Sequence, residues 1–203
     1  MPPIDDYELP HNERPDLTPF LIHLTRKTKE GSGLDNLESI LREGCIRGTK
    51  RCFVSQTQEA ACFMDVPFMA LKYVCGQNNI TRYEPYGAVI SKIWAYRNRD
   101  ARPVLYLSTE EVEILRIPED QRWRVVTLES SENSQQWESN WLHEREWRAP
   151  GDFGLPDTIR AVLVKTTSEA VELQERISQN REDFRCIPKS IIPLNVMCQG
   201  LVY

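Results

Sequence analysis

The segment 141–153, WLHEREWRAPGDF, sets two carboxylates one residue apart among arginines, a histidine and tryptophans. A solvated helix face would instead pair Glu with Lys at four-residue spacing. Read as a strand, it puts Glu144, Glu146 and Arg148 on one face and His143, Arg145 and Trp147 on the other. Carboxylates held that close shift each other's pKa, and an arginine beside them offsets the shift. Such a group can hold a sugar hydroxyl and stabilise a developing cation, as glycosidic-bond chemistry requires. The plain structural alternative is an edge strand with alternating charges.

The chain has three histidines, at positions 11, 23 and 143. His11 falls in a Pro-rich stretch and His143 adjoins the acidic pair. His23 interrupts an apolar run, PFLIHLT (19–25), which predicts a buried strand. A satisfied core histidine is the bland reading. Side chains alternate along a strand, however, so Thr25 shares a face with His23. An imidazole and a hydroxyl on one apolar strand need partners, and a ligand can supply them. Asp65 likewise interrupts the apolar CFMDVP. It is expected to cap a helix starting near Phe68; the alternative is a carboxylate cluster with Glu144 and Glu146, without a supporting metal-ligand spacing.

These groups must be placed by a domain that 203 residues, 40% hydrophobic and 27% charged, suffice to build. The net charge of -5 and pI near 5.4 give no global field for nucleic acid, so such a partner would need a local basic patch. The six cysteines form no C-x-x-C pair, which argues against zinc. The acidic, Pro-rich MPPIDDYELP is unlike a secretory signal, and no apolar run approaches the ~18 residues that span a bilayer. A cytoplasmic protein with reduced thiols and no membrane partner is expected.

Residues 1–18 read as an arm or tail and 19–203 as one domain. LDNLESILREG predicts a helix, with apolar Leu34, Leu37, Ile40 and Leu41, Asp35 and Glu38 suited to a capping box and Gly44 as its stop. Further strands are predicted over 60–67, 86–92, 102–108, 159–165 and 191–198, and in HEREWRAP, ending at Pro150. Residues 50–55 read as a short strand or turn, and 129–136 as loop. Helices are predicted over 68–74, in STEEVEIL with Ser108 or Thr109 as cap, and in TSEAVELQERISQ. The last has Thr167 or Ser168 as cap and Val171, Leu173 and Ile177 inward. IWAYRNRD reads as a short helix or turn, and 122–128 fits helix or strand. Strands and helices mixed without regular alternation, and without repeats, predict an α+β domain.

In this order HLT, LDNLESILREG, CFMDVPFMAL with YGAVISKIWAYRNRDARPVLYLS, and EREWRAPGD before IRAVLVK resemble the ADP-ribosyltransferase superfamily. The nearest branch is that of the DarT-type nucleic-acid ADP-ribosylating toxins, and the middle section is also similar to AbiGi-like abortive-infection proteins. The resemblance spans roughly residues 20–165. It implies a single domain with a mixed, split central sheet flanked by short helices, and NAD as co-substrate with no metal. It implies that His23, the Leu24 backbone and Thr25 contact the adenosine side, and that Asn36 positions NAD. An arginine would meet the diphosphate: Arg51 is the match, with Arg47 and Arg42 nearby. REWRAP selects Glu146 as the catalytic glutamate, with Glu144 two residues earlier acting on the acceptor. CFMDVPFMAL lacks the Pro-Arg-Ser turn of the DarT-type pattern, which implies a different substrate loop.

The activity so implied is NAD-dependent mono-ADP-ribosyl transfer to a nucleic acid or protein, in a bacterial toxin or phage-defence effector with a possible antitoxin. Two other classes remain open on the sequence: a metal-dependent nuclease using Asp65, Glu144 and Glu146, and a binding module that keeps the fold without catalysis.

Overall fold

The structure, a computed structural model, describes residues 16–29, 31–50, 58–75, 83–128 and 142–199. The chain opens with β1 (Phe20–Leu24), α1 (Gly33–Glu43), β2 (Cys45–Ile46) and β3 (Ala60–Phe63). A 3-10 turn and α2 (Leu71–Val74) lead to β4 (Gly87–Ser91), α3 (Lys92–Asn98), β5 (Arg102–Pro103) and β6 (Leu105–Leu107). Next come α4 (Thr109–Ile114), a 3-10 segment over Glu119–Arg124, and β7 (Val125–Thr127). A 3-10 turn, Leu142–Glu144, enters β8 (Trp147–Pro150), followed by β9 (Phe153–Gly154), β10 (Thr158–Ile159) and β11 (Ala161–Val164). The described chain closes with α5 (Thr167–Gln179), β12 (Ile187–Pro188), β13 (Ile191–Pro193) and α6 (Leu194–Met197).

The architecture is α+β, with its strands divided among mixed, antiparallel and parallel sheets. The central sheet has the order β1-β4-β11-β13, antiparallel except for β11 with β13. A second sheet, β3-β8-β5, carries the late glutamate segment. The two meet where Ile22 and Met64 exchange backbone bonds of 2.9 and 2.8 Å. This junction sets β1, and His23 with it, beside the end of β3.

Alternation along β1 sends Leu21 into one core with Leu37, Leu41, Phe63 and Phe153, and Ile22 and Leu24 into another with Met64, Leu71 and Leu163. β4 is buried from Gly87 to Ile90, as a central strand must be. Gly87 faces Leu24 in register, and a Cβ there would lie 2.6 Å from the His23 carbonyl oxygen. Only a glycine lets the two strands approach so closely at the histidine. Helix α1 starts with a reciprocal capping box between Ser32 and Asp35, typically worth ~1 kcal/mol, and stops at Gly44 in the left-handed region with φ 63.

Several expected elements change form. HEREWRAP is not one strand: the chain turns in 3-10 geometry through Glu144 and crosses Arg145 at φ 45 before β8 begins at Trp147. Glu144 therefore shares no strand face with Arg148. Asp65 does not cap the turn at Phe68, whose N-terminus has no side-chain cap; it binds Lys92 and Trp147 instead. Residues 122–128 divide between the 3-10 segment and β7. The last predicted strand stops at Pro193 and α6 follows, while 102–108 breaks into β5 and β6. Helix α5 is capped by Thr166, one residue earlier than expected; it buries Leu173 and Ile177 but leaves Val171 54% exposed. The segments 50–55 and 129–136 fall wholly or largely outside the described residues.

Candidate active site

A cleft of ≈ 290 Å³ opens where the end of β1, one face of α1, β3 and the turn before β8 converge. His23, Leu24, Thr25, Asn36 and Glu144 all line it, although they span more than half the chain. Two strand ends and a helix face thus bring together five of the seven residues expected from the sequence. Arg51 lies outside the described residues, and Glu146 stands apart from the lining.

His23 is half-buried, its ring edge-on to Phe63 at 5.9 Å between centroids. Its Nδ1 lies 2.8 Å from the Cys62 carbonyl oxygen. A carbonyl only accepts, so Nδ1 carries the hydrogen, and whenever the ring is neutral Nε2 is the acceptor. Thr25 sits just past β1. Its hydroxyl donates to the Gly33 carbonyl at 2.7 Å, and its backbone N–H donates to Tyr86 O at 2.8 Å. Thr25 therefore fastens β1 to the start of α1 within the cleft wall. Asn36 Nδ2 donates to the Arg26 carbonyl at 2.7 Å and so holds the loop after β1 against the helix.

The two glutamates occupy different environments. Glu146 makes a two-pronged pair with Arg148, Oε1 to Nε at 2.8 Å and Oε2 to Nη2 at 3.2 Å, with both side chains buried. Arg148 Nη1 also donates to the Trp123 and Val125 carbonyls at 3.0 Å each, which locks the 119–127 segment to β8. Glu144 is only 5% exposed, and its Oε1 has no hydrogen-bond partner among the described residues. Burial first, and the charge of Glu146 second, push its carboxyl up to about 7, against the pull of Arg148. Tyr106 is also raised, chiefly by burial, with Glu146 and Glu144 adding to it.

Asp65 pairs with Lys92 at 2.7 Å and accepts from Trp147 Nε1 at 3.2 Å. Among the described residues no three His, Cys, Asp or Glu side chains are arranged to hold a metal ion. The carboxylate cluster that a nuclease would need is thus not formed by Asp65.

Arg26, which the sequence did not single out, lines the cleft, as does Arg47, one of the two alternatives to Arg51. Arg47 is tied to Glu43 at 2.9 Å and Asp152 at 2.8 Å, and Arg42 is paired with Glu38 and Asp183 away from the lining. Arg26 directly follows the HLT motif, and that adjacency was the available signal. Asp65 was singled out as a cap or cluster member, but nothing local pointed to its actual partners, which lie 27, 80 and 82 residues away.

No protein-family model matches the chain. No curated protein matches it either. Two solved structures of Thermus sp. 2.9 DarT are similar in fold. One, in complex with NAD+, has 14% identity and TM-score 0.45; the other, in complex with carba-NAD+, has 16% and 0.44. Each comparison covers 91% of this chain and 98% of the other. Likeness at this level assigns neither activity nor site residues to this chain, so both rest on the side chains described above.

Proposed function

We propose that this chain is an NAD-dependent mono-ADP-ribosyltransferase whose active site is the cleft between β1, α1 and the turn before β8. The observation that carries the reading is Glu144: a buried carboxyl with an oxygen unpartnered among the described residues, in the same cleft as His23, Thr25 and Asn36. A buried polar atom without a partner signals a ligand that completes it.

The lining suits a dinucleotide in its chemistry. His23 Nε2 offers an acceptor, Asn36 an amide, Arg26 and Arg47 positive charge, and Glu144 an acceptor for sugar hydroxyls. Bound NAD would supply the glycosidic bond that breaks and the ADP-ribosyl group that is transferred. Positive charge develops on the ribose as nicotinamide departs, and the ionised Glu144 carboxylate stabilises it. The same group accepts a proton from the incoming nucleophile. Glu146 sets the field at Glu144 from its fixed place on Arg148, so both carboxylates serve the reaction with Glu144 in contact. In this reading Arg51 joins Arg26 and Arg47 at the diphosphate.

The acceptor is a nucleic acid or a protein, and the biological role is a bacterial toxin or phage-defence effector acting in the cytoplasm and restrained by an antitoxin. No helix among the described residues is long and apolar enough to cross a membrane. The test is expression followed by mass spectrometry of nucleic acids and proteins for an added ADP-ribose. Wild type should produce it and Glu144→Gln should not; no adduct on any acceptor, with NAD left uncleaved, would overturn the reading.

A further inference from the structure

Arg145 stands between the two glutamates with φ 45, a left-handed conformation that strains a non-glycine residue. A glycine would adopt it without strain, so the side chain present must return something a glycine cannot. Its Nε donates to the Asp65 carbonyl at 2.8 Å, and its Nη2 donates to the Asp16 carbonyl. Its Nη1 lies 3.9 Å from the Asp16 carboxylate.

Asp65 grips the same segment twice more. Its N–H donates to the Glu144 carbonyl at 3.2 Å, and its Oδ2 accepts from Trp147 Nε1 at 3.2 Å. The other carboxylate oxygen is anchored on Lys92 at 2.7 Å. Three bonds, at Glu144, Arg145 and Trp147, therefore converge on one residue just past β3. They bracket the point where the chain changes from 3-10 turn to strand, which decides where the Glu144 carboxyl points.

We propose that Arg145 is a positioning residue: its left-handed backbone turns the chain between Glu144 and Glu146, and its guanidinium, fastened to the Asp65 and Asp16 carbonyls, holds Glu144 in the wall of the cleft. Its catalytic consequence rests on the transferase reading; its structural consequence does not. The Asp16 contact makes the chain just before β1 part of this scaffold.

The test is a carboxyl 13C NMR titration of Glu144, its resonance assigned by loss in Glu144→Gln. Wild type should titrate at about 7. In Arg145→Ala the released carboxyl gains water, and its midpoint should fall by about one unit or more towards the ordinary carboxylate range. Arg145→Gly keeps the left-handed turn without strain, so it guards against loss of folding, and it should show the same fall. Arg145→Lys, which can still donate to the two carbonyls, should stay near wild type. A wild-type midpoint in folded Arg145→Ala and Arg145→Gly would overturn the proposal. Nicotinamide release by the wild type, measured on the same samples, reads the transferase assignment separately, so each can fail without the other.

Discussion

Glu144 is the group on which the chemistry turns, and its environment makes its pH behaviour specific. A carboxyl raised to about 7 is largely protonated below neutrality and becomes an acceptor above it. Activity should therefore rise with pH through about 7. Replacing Glu146 by Gln removes the neighbouring charge that raises Glu144 and leaves Arg148, which lowers it. The midpoint of the pH–rate profile should then move down while activity persists; an unchanged midpoint would remove Glu146 from this role. The same shift bears on stability. The folded state holds the Glu144 proton more tightly than the unfolded chain, so this contribution is fully present below the unfolded value of 4.5 and is lost as pH rises to about 7. Across that window the loss is about 3 kcal/mol. Glu144→Gln should flatten that part of the pH dependence in urea unfolding, and an equal slope in both proteins would show that Glu144 is not buried as described.

The element that frames this residue is β8 with its clamp. Arg148 holds Glu146 in two bonds and the Trp123 and Val125 carbonyls in two more, all buried. Arg148→Met leaves a buried carboxylate without its partner and should cost about 3–5 kcal/mol. Adding Glu146→Gln removes that uncompensated charge and should recover part of the loss, as a denaturant double-mutant cycle would show. Strictly additive losses would mean that the pair is not coupled. Helices α1 and α5 were legible because their apolar spacing is local, as in Leu37 with Leu41, while their caps, Ser32 with Asp35 and Thr166 with Glu169, lie a residue or more from those expected. The turn into β8 was not. Its alternating charges mimic a strand, and what breaks it is the Asp65 contact made from 80 residues earlier in the sequence. The same holds at the end of the chain, where apolar IIPLNVMC fits strand or helix and Pro193 marks the change.

At the scale of the whole molecule, the split sheet is the device that makes a site from distant residues. The β1–β3 junction at Ile22 and Met64 sets His23 beside Cys62, and β3 in turn pairs with β8, which follows Glu144. The ordered set of segments in the sequence pointed to His23, Thr25, Asn36 and the glutamates as one group, and the cleft gathers all of these but Glu146. What the segments could not convey was which carboxyl faces the cleft, because that depends on the left-handed turn at Arg145 and on the Arg148 pair. A net charge of -5 leaves any recognition of an anionic acceptor to local arginines rather than to a global field. The most direct measurement is nicotinamide release from NAD by purified wild type and Glu144→Gln. The wild type should release nicotinamide, faster as pH rises through about 7, and Glu144→Gln should be slower by ~100-fold or more. No release by the wild type, or equal release by both proteins, would contradict the account.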